Sequence, residues 1–162
     1  NAVGCMEFGG CFLNKRLNRN NDGGTTRRTT DIFQLATTVL FQNPVQNFAL
    51  APNNLKDVSP VCMDYMKTVP TTWDETCFID GYPGKYVVLA RRHGNTWYLA
   101  AVNAGKEIVK LKLDLDMFAG KTVSLYKDDK KGEPQLVTLK VKESGKVQLE
   151  ILPQGGVVLV NN

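Results

Sequence analysis

The apolar positions change period near residue 70. Between Asp31 and Leu40 they fall at Ile32, Leu35, Ala36, Val39 and Leu40, the i, i+3, i+4, i+7, i+8 spacing of one helix face. Thr29 or Thr30 caps this predicted helix, Asp31 in its first turn suits the helix dipole, and Pro44 stops it. Ser59-Pro60 starts a second, short helix that ends before Pro70. Ahead of both, the apolar run VGCMEF (3–8) reads as a buried strand broken by Gly9-Gly10. The Asn-, Gly- and Thr-rich stretch 14–30 reads as a surface loop.

From residue 71 the period becomes two. KYVVLARR (85–92) and TWYLAAVN (96–103) flank His93-Gly94-Asn95, a tight hairpin. Both strands are apolar on both faces, which predicts a central position covered on each side. In 107–115, Val109, Leu111, Leu113 and Leu115 alternate with Lys110, Lys112 and Asp114. Thr122–Lys127, Leu136–Val141, Lys146–Ile151 and Gly156–Val160 follow, with Val137, Leu139 and Val141 expected inside. About eight short strands with turn signals every 8–12 residues predict an antiparallel β-sandwich. The fold class is therefore mainly β: a C-terminal antiparallel β-sandwich (71–162) behind a mostly helical leader (1–70).

Composition narrows the function classes. At 162 residues and 43% hydrophobic, the chain has material for one cored domain plus a fragment. A net charge of +4 is too small to imply nucleic acid, and no apolar run approaches the ~18 residues of a membrane span. The first residue is Asn, so the chain reads as an internal piece or a processed product. Cys5, Cys11, Cys62 and Cys77 contain no CxxC, and His93 is the one histidine, so no zinc site is expected. The spacing does not look like a disulfide framework, and the cysteines read as buried free thiols.

Candidate chemistry is sparse. Glu7, in an apolar run before Gly-Gly, would have a raised pKa if buried, which suits acid or base work. Trp73, Asp74 and Glu75 read either as a sugar platform or as a junction tryptophan with two solvated acids, the second being favoured. Lys15, Arg16, Arg19, Arg27 and Arg28 form a basic loop without interleaved aromatics. Asp114/Asp116 and Asp128/Asp129 lack a calcium-loop pattern. His93 reads as a surface turn residue. No nucleophile–base pattern and no phosphate loop emerges, so no catalytic or metal residue is assigned.

Several long stretches carry a resemblance: GCMEFGGCFLNKRLN, GGTTRRTTDIFQLAT, VLFQNPVQNFALAPNNL, VPTTWDETCFIDGYPGKYVVLARRHGNTWY and LDMFAGKTVSLY, together covering most of residues 4–126. They resemble the C-terminal end of glycoside hydrolase family 97, in particular its α-glucosidase branch. The resemblance implies a three-part parent: an N-terminal β-supersandwich, a (β/α)8 barrel and a C-terminal β-domain. Residues 1–70 would then be the last segment of the barrel, and 71–162 the whole final domain. It further implies hydrolysis of α-glucosidic bonds in starch-derived oligosaccharides by carboxylates upstream of this chain. A calcium ion would assist in the parent, with none held by this chain, and the location would be periplasmic. Glu7, in the EFGG segment, would line the site without a catalytic role and would point to the inverting branch. This chain alone is expected to be inactive, with the helix face around Ile32, Leu35 and Val39 exposed until the barrel covers it. At the junction Trp73 would pack into the seam, with Asp74 and Glu75 bonding across it. The alternative reading is a non-catalytic carbohydrate-binding β-sandwich, which would need exposed coplanar aromatics.

Overall fold

The computed structural model describes residues 7, 13, 16, 24–50 and 52–161. Helix α1 (Asp31–Leu40) starts where the sequence predicts: Thr30 Oγ1 accepts from the Phe33 N–H at 3.1 Å. A 3₁₀ turn (Pro52–Asp57) and helix α2 (Pro60–Met66) follow, the latter with proline at its first position. Then come β1 (Glu75–Tyr82), β2 (Tyr86–His93), β3 (Thr96–Asn103), β4 (Val109–Asp114), β5 (Thr122–Asp128), β6 (Pro134–Lys140), β7 (Lys146–Ile151) and β8 (Gly156–Asn161). A second 3₁₀ turn, Asp116–Phe118, links β4 to β5. The predicted strand at 3–8 lies outside the described residues apart from Glu7, and the predicted loop 14–30 lies largely outside them.

Six strands form one antiparallel sheet in the order β1-β2-β3-β8-β5-β6, and β4 pairs with β7 in a second. The period-two pattern of each strand decides what lies between them. Val88, Ala90, Leu99, Ala101, Leu125 and Leu159 point inward from the large sheet. They meet Leu111, Leu113, Val147 and Leu149 from β4–β7, with Phe118 fully buried among them. This is the sandwich core, as the sequence predicts.

The other face of the large sheet carries a second core. Tyr98, Ala100, Val102 and Val158 pack against Ile32, Leu35, Ala36 and Val39 of α1 and Cys62, Tyr65 and Met66 of α2. The central hairpin is apolar on both faces because it is covered on both, by β4–β7 below and the helices above. This corrects one expectation. Ile32, Leu35 and Val39 are all at 0% exposure, seated on the sandwich's own sheet rather than left open for a barrel. Burying each large aliphatic side chain there contributes roughly 1.5–3 kcal/mol. A second correction concerns β6. Val137 is 37% exposed and Leu136 48% exposed, because β6 is an edge strand that β4–β7 does not reach across to cover. Val141, just past it, is buried as expected.

Candidate functional site

The best-built polar arrangement in the described residues is the seat of α1. Gly156 opens β8 directly under the start of the helix. A Cβ there would lie 2.8 Å from Phe33 Cα and 2.9 Å from the Ile32 carbonyl oxygen, so only glycine allows this approach. Beside it stands Asp128, the last residue of β5, which is 9% exposed. Its Oδ2 accepts from Thr30 Oγ1 at 2.9 Å and from the Gly156 N–H at 3.1 Å. Its bond to Thr30, the N-cap residue, holds the carboxylate at the positive end of the helix. Thr30 N–H donates to the Gln154 carbonyl at 3.0 Å, fixing the entry into α1.

The opposite end of α1 meets a buried arginine. Arg91 on β2 is 4% exposed; its Nη1 donates to the Phe41 carbonyl at 3.1 Å and its Nη2 to that of Leu40 at 3.4 Å. These are orphan carbonyls of the helix C-terminus. The guanidinium lies 5.9 Å from the Trp73 ring centroid, and Trp73 meets Tyr98 edge-to-face at 5.3 Å. The sheet thus offers an acid to the helix N-terminus and a base to its C-terminus. That charge order recognises one helix direction.

Burial raises the Asp128 pKa to about 6, opposed by the hydrogen bonds from Gly156 and Thr30 and helped by neighbouring Asp31. Asp31 is itself ion-paired with Arg27, both nearly buried. Asp128 Oδ1 has no hydrogen-bond partner among the described residues. A carboxyl group with a raised folded-state pKa binds its proton more tightly folded than unfolded. Its contribution to stability therefore falls as pH rises from about 4 to 6. The melting temperature of the wild type minus that of Asp128→Asn is expected to increase on acidification from pH 7 to pH 5. A difference that stays flat or decreases would show that the carboxyl group is not titrating in this seat.

The predicted residues are distributed otherwise. Glu7 is exposed rather than buried, and it accepts a hydrogen bond from Asn47 Nδ2. Trp73 does pack between helices and sheet. Asp74 and Glu75 do not bond across that seam: Asp74 Oδ2 accepts from the Gly94 N–H at 2.7 Å, and Glu75 pairs with Arg92 at 3.2 Å, both within the β2–β3 hairpin region. Those acids lie beside a hairpin tip that supplies its own donors. His93 is exposed and bonds the Thr72 carbonyl oxygen at 2.9 Å. Arg27 belongs to the helix start rather than to a solvated loop, while Arg16 donates to Thr26. Lys15, Arg19, Cys5 and Cys11 lie outside the described residues. Cys62 is a buried thiol as expected, whereas Cys77 is only half-buried because it lies on the edge strand β1. Among the described residues no group of three or more His, Cys, Asp or Glu side chains is placed to hold a metal ion. No described helix is long and apolar enough to cross a membrane.

Asp128 and Arg91 were missed as partners of α1, although strand parity places both on the outer face. Asp128 shares its face with Tyr126, and Arg91 shares its face with Val87 and Leu89. A charged residue continuing an apolar face was the available signal.

The family model described as glycosyl-hydrolase 97 C-terminal, oligomerisation, matches residues 72–160. The chain belongs to glycoside hydrolase family 97. A retaining α-galactosidase of Bacteroides thetaiotaomicron is 28% identical over 135 residues, 78% of this chain and 20% of that protein. A solved β-arabinopyranosidase is 84% identical, with a TM-score of 0.96, over 99% of this chain and 26% of its own. A family 97 enzyme of Pseudoalteromonas sp. strain K8, solved in complex with panose, is 28% identical over 98% of this chain and 26% of its own, with a TM-score of 0.81. The family 97 chain described here therefore spans about a quarter or less of the relatives it matches. Residues 72–160 are the family's C-terminal β-sandwich, and the relatives are glycosidases.

Proposed function

We propose that this chain is the C-terminal part of a retaining glycosidase that releases β-L-arabinopyranosyl or α-D-galactosyl units. The carrying observation is the 84% identity over 99% of the chain to the β-arabinopyranosidase. Identity that high, where the described residues hold no catalytic cluster of their own, is a sign of recent common descent. β-L-Arabinopyranose and α-D-galactose share the same ring hydroxyl configuration and differ by the hydroxymethyl group at C5. The two relatives' names thus converge on one ring shape, which an α-glucoside lacks at C4. That favours this reading over α-glucosidase action on starch oligosaccharides, although the panose complex keeps the latter worth assaying. The name of the α-galactosidase likewise favours retention over the inversion inferred from the EFGG segment.

In this proposal residues 1–70 close the catalytic barrel, and the sandwich anchors the barrel's last helix through the Asp128–Gly156 seat and the Arg91 cap. The catalytic carboxylates and any calcium belong upstream, Glu7 stays a site-lining candidate, and the location is periplasmic. From the description of the matching family model we also take an oligomerisation role for residues 72–160.

The test uses the whole enzyme with 4-nitrophenyl glycosides. The kcat/KM for β-L-arabinopyranoside or α-D-galactoside is expected to exceed that for α-D-glucoside at least tenfold. The first anomer seen by proton NMR should keep the substrate's configuration. Preference for the α-glucoside, or release of the opposite anomer, would overturn the corresponding half of the proposal.

A further inference from the structure

Helix α1 covers the centre of the outer sheet face but not its β1–β2 end. There Phe78 is 67% exposed and Tyr82 61% exposed, the largest exposures among the big hydrophobic side chains of the described residues. With Pro83, Tyr86, Val87 and Val102 they line an open cleft of 390 Å³. Lys85, whose Nζ sits 4.9 Å from the Tyr82 ring centroid, is the one charged side chain in that lining. Burial, with the neighbouring Asp80 carboxylate, raises the Tyr86 pKa.

The cleft is held in shape. Gly81 has φ 155°, and a Cβ there would lie 3.0 Å from the Tyr86 carbonyl oxygen, so the β1–β2 turn closes tightly against its own strand. Lys85 N–H bonds the Tyr82 carbonyl across the turn at 2.9 Å. Aromatic side chains presented from a fixed turn cost little ordering on association.

Three features decide what such a surface fits. A sugar site needs several convergent polar groups, and this lining supplies almost none. Strand addition at the β1 edge is disfavoured, because the register shifts between Phe78 and Asp80 and a bulge interrupts a pairing template. An apolar aromatic face remains, and it is self-complementary: across a two-fold axis aromatic meets aromatic, with the exposed Lys85 ammonium held over the Tyr82 ring.

We infer that the Phe78–Tyr82 face is the apolar centre of a two-fold contact with a second copy of this domain. This rests on the oligomerisation reading of residues 72–160, which contain the whole face. A standard interface buries roughly 800 Å² per partner, so the face is the centre of such a contact, with a polar rim around it. The exposed pair on the other edge strand is less suited, because Leu136 and Val137 are adjacent and point to opposite faces.

The experiment is sedimentation velocity on the whole enzyme over a wide concentration range, with Phe78→Asp and Tyr82→Lys made separately. The wild type is expected to self-associate. Each variant should weaken the dissociation constant at least tenfold, with kcat/KM within about twofold and the melting temperature extrapolated to low concentration unchanged. Tyr82 lies at an exposed turn, so its variant keeps the test alive where Phe78→Asp fails to fold. A wild type that stays monomeric throughout overturns the oligomerisation reading itself. A wild type that associates with unchanged strength in the variants overturns only the surface assignment. A lowered melting temperature with unchanged association also overturns it, and places the face against an upstream part of the same chain.

Discussion

Replacing Gly156 by valine is expected to lift the start of α1 off the sheet and destabilise the protein by about 3 kcal/mol, the upper range for overpacking. The atoms in the way are backbone: Phe33 Cα, the Ile32 carbonyl oxygen and the Phe33 nitrogen, all within 2.9 Å of the new Cβ position. A side-chain end would swing aside, whereas a helix start has to translate. Translation would also lengthen the bonds from Thr30 and Gly156 to Asp128 and loosen the contacts of Ile32 and Leu35 with Val158 and Val102. Thermal melting of the whole enzyme measures the loss, and hydrogen exchange locates it. Protection is expected to fall in α1 and β8 and to persist in β4 and β7. Equal protection loss across both sheets would mean that the helix seat and the sandwich core unfold as one unit. A melting temperature within 1–2 °C of wild type, in the range where a small ΔΔG shifts a large domain little, would show that the seat accommodates a side chain.

Phe118→Ala is expected to cost about 4 kcal/mol, in the range for buried phenylalanine truncation. Phe118 has 0% exposure and closes the inner core between the sheets, held by the 3₁₀ turn in which its N–H donates to the Leu115 carbonyl at 2.9 Å. Leu115, also fully buried, cannot slide in, because its own N–H bonds the Gly145 carbonyl at 2.9 Å. The void therefore stays largely open, and the cost approaches the full transfer-plus-cavity value. Chemical denaturation followed by tryptophan fluorescence checks it, since Trp97 packs against this core. Folded Phe118→Ala enzyme should keep wild-type kcat/KM at low temperature, because the proposed catalytic groups lie upstream. A selective loss of activity in folded protein would place the sandwich core in contact with the catalytic machinery.

How legible these features were differs by element. The strands were readable because alternation is local: Leu111, Leu113, Val147 and Leu149 each announce an inward face two residues at a time. The caps of α1 and α2 were readable for the same reason, since Thr30 and Ser59-Pro60 act on the backbone beside them. The destination of the apolar stripe on α1 was not, because a periodic pattern states that a face is buried but not against what. Asp128 reads in sequence as half of an acidic pair. Its neighbour Asp129 does fill a turn role, accepting from the N–H groups of Lys131 and Glu133. The burial of Asp128 comes from contacts with Thr30, 98 positions away, and Gly156.

The sequence by itself determined the period change at residue 70, the β-rich class, the helix caps, the apolar central hairpin and, by resemblance, the family. Each depends on residues a few positions apart or on long matched stretches. Tertiary structure alone decided that α1 lies on the sandwich's own outer face, that Asp128 and Arg91 meet its two ends, that Glu7 is exposed on this chain, and that Phe78 and Tyr82 are left uncovered. Those outcomes depend on which strands stand at the centre and edge of the sheet. Strand order is set by long-range pairing, such as Leu99 with Leu159, whose partners are chosen by the assembled core rather than by any local pattern.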